Sequence, residues 1–224
     1  MSERESGKLS FIREIIGCLT SPRSSFKSIL EKSSLMKATA LILGIAVVAA
    51  WASFNYTGKL PLSYFIDQGS GGIVNPEQLR QVSIIASAMM ALIGIFGTWL
   101  ISSALIHGFS SRLGGKGTFR SMLTLAGFAS TPLLIQQVLR LADSFMVSQE
   151  ALLLTATLQI SADSLLNSIA SAAVSIFTIF RLWSIVLLVV AIRENYKMST
   201  ARSTVVAAVS CILIALLSVF LPLK

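Results

Sequence analysis

Few residues of this 224-residue chain carry chemistry that a site would need. Arg181 stands inside an apolar run over 168–192, and Gln136 and Gln137 stand inside another over 120–139. A guanidinium in hydrocarbon costs roughly 2.5–3.5 kcal/mol by insertion scales, so it faces a polar interior or reaches an interface along its own stem. At 1.5 Å per residue Arg181 lies about 16 Å before Ile192, near mid-depth of a crossing segment. Two placements stand side by side. Arg181 forms a polar site with Gln136, Gln137 or an acidic residue, or the run is shifted outward and Arg181 snorkels beside Trp183.

Gly114-Gly115-Lys116-Gly117-Thr118 has the look of a phosphate cradle. A nucleotide loop needs G-x-x-x-x-G-K-[ST], with a hydroxyl after the lysine for Mg²⁺. Here Ser110 stands where the first glycine belongs, Gly117 follows Lys116, and no strand precedes. The single histidine, His107, has no metal-ligating or triad partner at useful spacing, and Cys18 and Cys211 lie at opposite ends of the chain. No nucleophile elbow, zinc pair or carboxylate dyad occurs in the apolar runs. No catalytic residue, metal or cofactor is assigned, and an enzyme is not expected. Cys18 reads as a buried thiol or as a juxtamembrane S-acylation site.

The elements that must position these residues are membrane helices. The chain is 54% hydrophobic and only 12% charged, with a mean hydropathy of +0.78. Soluble domains carry about 25% charged residues. Such a chain lacks the polar surface a water-soluble fold of this size requires. The expected fold class is all-α: a polytopic helical membrane protein with five transmembrane helices and amphipathic N-terminal interfacial helices. Spans are expected at 38–54, 82–106, 120–139, 168–192 and 203–221. Residues 1–37 form a cytoplasmic basic amphipathic region, and 38–224 form the spanning domain.

Local signals fill in the rest. Leu9, Ile12, Ile16 and Leu19 recur as one helical stripe, with Phe11 and Ile15 beside it. This helix either lies in the membrane interface or docks on the protein itself. Ser21-Pro22 starts a second short helix. Ser83, Ser87 and Ala91 give the second span a small-residue face, and Gly94 and Gly97 thin it further. In the third span Gly127 and Pro132 mark a kink, with Ser130 and Thr131 able to satisfy freed carbonyls. The apolar piece 151–160 is too short to cross.

Charge sorts by side. With the amino terminus cytoplasmic, thirteen of the 18 Lys and Arg residues fall on the cytoplasmic side. Lys59, Arg80, Arg140 and Lys224 fall opposite, and Arg181 lies within a span. That bias places the carboxyl terminus outside the cell membrane. Arg23, Lys27, Arg112, Lys116, Arg120, Arg193 and Lys197 are candidate contacts for anionic lipid headgroups on the cytoplasmic side, at about 1 kcal/mol each before screening. A net charge of +8 therefore needs no nucleic acid, and no stacking aromatics interleave with the basic residues.

Several of these pieces together resemble the Yip-domain family, named for Ypt/Rab-interacting membrane proteins. Thr20-Ser21-Pro22-Arg23-Ser24-Ser25-Phe26 resembles its SPR-x-x-F entry to the first span. Gly117-Thr118-Phe119-Arg120 and Leu125-Ala126-Gly127-Phe128-Ala129-Ser130-Thr131-Pro132 resemble its middle-span pattern. Trp183-Ser184-Ile185, Ala191-Ile192-Arg193 and Ser199-Thr200-Ala201-Arg202 resemble its fourth span and the following loop. The resemblance runs from about 19 to 221 and is closest to the prokaryotic branch. It implies five spans and a role in membrane organisation or trafficking through small GTPases and other family members. The chain has no Asp-Leu-Tyr-Gly-Pro stretch and a short amino terminus, so Rab binding is not carried over. The expected function is an integral membrane scaffold or partner-binding protein that contacts lipid and a second copy or another membrane protein. The alternative is a small transporter or channel subunit built around Arg181 and the Pro132 kink.

Overall fold

The computed structural model describes residues 3–32, 34–68, 75–160 and 178–220. Ten helices and no strand occur among the described residues. They are α1 (Glu3–Thr20), α2 (Pro22–Lys32), α3 (Leu35–Gly58), α4 (Leu62–Gln68), α5 (Pro76–Arg112), α6 (Phe119–Ala129), α7 (Thr131–Met146), α8 (Gln149–Ile160), α9 (Ile179–Tyr196) and α10 (Thr200–Phe220).

Local chemistry fixes several helix starts. Asn75 accepts from the Glu77 amide at 2.9 Å, with Pro76 at the first helical position of α5. The Thr118 hydroxyl accepts from the Ser121 amide at the start of α6. Lys197 takes a left-handed conformation, φ 56°, and ends α9. The 37 residues of α5 extend about 55 Å, well beyond a hydrocarbon core of about 30 Å.

The helix at the centre is α6. Every residue from Met122 to Ala129 is buried, as a helix apolar on all sides requires. It meets α3, α5 and α9, while α2 closes one end. Cys18 of α1, Phe26 and Ile29 of α2, Ile42 of α3, Ile106 of α5 and Ile192 of α9 share its core. The Trp99 indole N–H donates to the Leu123 carbonyl at 3.0 Å, so even this polar atom is satisfied inside. Apolar stripes face outward: Leu43, Val47, Trp51 and Phe54 on α3, and Val82, Ile85, Met89 and Ile93 on α5. In lipid such stripes are the outer surface of the bundle.

The helices α3, α5 and 200–217 of α10 are each long and apolar enough to cross a membrane, and α6 with α7 passes the same test only as a pair bent by 40°, so three or four crossings are supported among the described residues where the sequence led us to expect five. The chain is thus an all-α polytopic membrane protein. Of the expected fourth span, 179–192 is helical within α9, which is not among the helices long and apolar enough to cross, and 168–177 lies outside the described residues.

The bend falls at Ser130, between α6 and α7, with Pro132 in the first turn of α7. Ser130 Oγ donates to the Ala126 carbonyl at 2.9 Å and Thr131 Oγ1 to the Phe128 carbonyl at 2.6 Å. Gly127 lies three residues earlier, inside α6. A Cβ there would stand 2.8 Å from the Cβ of Ala38 on α3, so this glycine serves a helix crossing. The small face of α5 is also used internally, since Thr57 Oγ1 of α3 donates to Ser87 Oγ at 3.0 Å. Gly94 and Gly97 have open space beside them.

The first helix takes the docked arrangement. Phe11 meets Phe128 edge-on and Cys18 is fully buried, so α1 docks on the bundle. Ile12 and Ile16 stay about half exposed on the opposite side.

Candidate functional site

The chain returns repeatedly to one end of the bundle, the near end, where α2, the starts of α3, α6 and α10, and the ends of α5 and α9 meet. Three consecutive residues at the end of α9 organise it. Glu194, Asn195 and Tyr196 are all buried, although the polar end of a helix would ordinarily be solvated. Each has a partner from another part of the chain. Glu194 Oε1 pairs with Arg23 Nε of α2 at 3.2 Å. Asn195 Nδ2 donates to the Thr118 carbonyl at 3.2 Å. The Tyr196 hydroxyl lies 2.7 Å from His107 Nδ1 of α5, and the His107 ring stands against Phe119.

The glycine loop is shaped to receive this triplet. Gly114 has φ 83° and makes the turn after α5. A Cβ at Gly115 would meet Tyr196 Cβ at 2.8 Å, and one at Gly117 would meet the Asn195 side chain at 2.8 Å. The Gly115 amide donates to the Ser110 carbonyl at 2.9 Å, so it faces its own helix. The loop is a packing surface for α9. A further tie joins Lys37 Nζ to Glu14 Oε1 at 2.7 Å across α3 and α1.

Around this clamp lie the candidate headgroup residues. Lys27, Arg112, Lys116, Arg120 and Lys197 are exposed, Arg193 is half-buried and donates to Thr200 Oγ1 at 3.3 Å, and Arg23 is engaged by Glu194. The structure brings all seven to one end. Cys18 lies beneath them, fully buried, and burial together with the nearby Glu14 charge pushes its thiol up to about 12. S-acylation of Cys18 has no access in this conformation.

The intramembrane candidates are arranged differently. Arg181 is exposed in the first turn of α9. Gln136 and Gln137 sit half-buried on α7, each with a buried Oε1 that has no hydrogen-bond partner among the described residues. No hydrogen bond joins Arg181 to either glutamine among the described residues. Its charged neighbour is Arg140. Arg140 belongs to the tier at the opposite end, where its guanidinium lies 5.6 Å over the Tyr56 ring and Tyr56 donates to Asp143. Lys59 Nζ caps the end of α7 by donating to the Phe145 and Val147 carbonyls at 2.9 and 3.0 Å.

Sequence reasoning passed over Glu194, Asn195 and Tyr196. One signal was present: Glu194 is an acidic residue set among Arg193, Lys197 and Arg202, and a carboxylate there invites an ion-pair partner.

A bundle of apolar helices with a buried polar clamp at one end defines a multi-pass α-helical membrane protein. The model of the Yip1 domain family matches residues 16–221 of the chain, and the chain belongs to that family. No curated protein and no solved structure matches it.

Proposed function

We propose that the chain is a non-enzymatic scaffold in the cell membrane that presents a rigid basic face to a membrane-associated partner and to anionic lipid. The observation that carries this reading is the clamp. Glu194, Asn195 and Tyr196 tie α2, the end of α5 and the 113–118 loop to α9, so the exposed basic side chains sit on a fixed platform. A preorganised surface loses less side-chain and loop freedom on binding than a mobile one. In this reading 1–37 is a cytoplasmic collar and 38–224 is a five-span domain, with α9 in the fourth span. The amino terminus is cytoplasmic and the carboxyl terminus outside. Family members interact with membrane-associated proteins such as Rab GTPases, which supports the class of partner. The missing Asp-Leu-Tyr-Gly-Pro stretch argues against a Rab here. The open helix face at Gly94 and Gly97 suits a second copy.

In-cell crosslinking through Lys27, Lys116 and Lys197, followed by mass spectrometry, tests the proposal. The expected result is a membrane-associated protein or a second copy joined at these lysines. Recovery of no protein partner, together with solute flux in liposomes, overturns it.

The unpartnered Oε1 atoms of Gln136 and Gln137 favour a second reading, a transport subunit with a polar site below the α6–α7 bend. Its test is the same flux assay. Flux abolished by Gln136→Leu with Gln137→Leu would establish it, and absence of flux in the unaltered protein removes it.

A further inference from the structure

A cleft of about 130 Å³ opens at the near end between α2 and α6. Its floor is Ile29 and Leu125, both buried, and its walls include Leu30, Ser34, Arg120 and Ser121. Leu35 and Phe119 are the first residues of α3 and α6. The mouth therefore opens where the chain enters the apolar bundle, at the level where lipid headgroups lie.

Thr124 Oγ1 donates to the Arg120 carbonyl at 3.0 Å, and the other three polar side chains of the cleft have donor capacity to spare. Arg120 is exposed and forms no ion pair or side-chain hydrogen bond among the described residues. Ser34 occupies the N-cap position of α3 yet makes no side-chain cap bond. Ser121 Oγ accepts from Thr118 Oγ1 at 2.9 Å, which leaves its own proton free to donate. The positive ends of α3 and α6 add to the field, and Lys32 offsets the negative end of α2. The nearest acid in sequence, Glu31, does not line the cleft.

The lining is mainly polar, but Ile29, Leu30, Leu35 and Leu125 give it an apolar side as well. A ligand with a phosphate at the rim and an apolar continuation satisfies both. The cleft is large enough for a phosphate group and open on one side. The tails then run outside, over residues such as Met36, which is 79% exposed directly after Leu35.

We propose that this cleft binds the phosphate of one anionic glycerophospholipid from the surrounding leaflet. Arg120 makes the charge-assisted contact, and Ser34 and Ser121 complete the donor set. The inference deepens the lipid-binding part of the proposed function and rests on it.

The test is native mass spectrometry of the full chain in detergent, titrated with phosphatidylglycerol or with phosphatidylcholine of the same tails. One phosphatidylglycerol retained per chain is expected, with clearly weaker retention of phosphatidylcholine, whose choline neutralises its own phosphate. Arg120→Gln weakens retention about tenfold. Arg202→Gln, exposed at the start of α10 and away from the cleft, changes it less than twofold. Ser34→Leu blocks the mouth without altering charge and produces the same loss as Arg120→Gln, so it carries the test alone if Arg120→Gln fails to fold. Equal losses for Arg120→Gln and Arg202→Gln would mean only diffuse surface attraction and would overturn the proposal. Displacement by millimolar inorganic phosphate would also overturn it, because the site would then be one for a free anion. Crosslinking through Lys27, Lys116 and Lys197 reads the scaffold role separately. Crosslinks that persist while lipid retention is absent sink this inference alone.

Discussion

Gly127 of α6 lies against Ala38 of α3 so closely that a Cβ on the glycine would come within 2.8 Å of the alanine Cβ. Both atoms sit on buried backbone with no flexible side chain to yield. Gly127→Ala gains about 1 kcal/mol of helix propensity but overpacks the crossing by about 1–3 kcal/mol. The expected outcome is a lower unfolding midpoint in detergent, partly restored by adding Ala38→Gly. A midpoint unchanged by Gly127→Ala would show that α6 and α3 separate freely.

The Arg23–Glu194 pair is asymmetric: the Glu194 side chain is 6% exposed and that of Arg23 is 62%. Removing Arg23 leaves a buried carboxylate without its partner, whereas removing both charges does not. Because Arg23 is well solvated, Arg23→Ala is expected to cost only about 1 kcal/mol, and less in high salt. The double variant Arg23→Ala with Glu194→Gln should recover part of that loss. A thermal-unfolding series over salt concentration checks the sign.

Cys18 holds its proton from its usual value near 9 up to about 12. Between those values the folded thiol stays protonated while the unfolded one ionises. The unfolded state then binds fewer protons, and stability falls as pH rises through this window, by at most about 1.4 kcal/mol per unit. Below pH 9 the effect is absent. Maleimide at pH 7.5 should therefore leave Cys18 unlabelled in the folded chain and label it after denaturation. Rapid labelling of the folded chain would mean that α1 lifts off the bundle.

Topology predicts a further asymmetry. In a chain whose two cysteines are replaced by alanine, Gln81→Cys and Ser111→Cys put single thiols on exposed positions toward opposite ends of α5. A membrane-impermeant maleimide applied to intact cells should label the first and spare the second. The reverse pattern would place the basic end outside.

The resemblance to the Yip-domain family was legible from short motifs because they cluster where local rules are strict. Ser21-Pro22 starts α2, Thr118 caps α6, and Ser130-Thr131-Pro132 separates α6 from α7. Each is decided within a few residues. Gly127 was visible in the same motif, but its role was not. A glycine three residues before the break looks like part of the bend, and only the approach of α3 reveals a crossing.

By itself the sequence determined the medium and the general plan. Long apolar runs, few charges and basic residues gathered between particular runs are sums of local transfer energies, and they need no knowledge of contacts. The tertiary structure alone decided which polar groups meet. Arg23 and Glu194 are 171 positions apart, and His107 and Tyr196 are 89. No local preference encodes such pairings. They follow from which helices neighbour α6, and a buried carboxylate or phenol then takes the partner that the packing brings within reach.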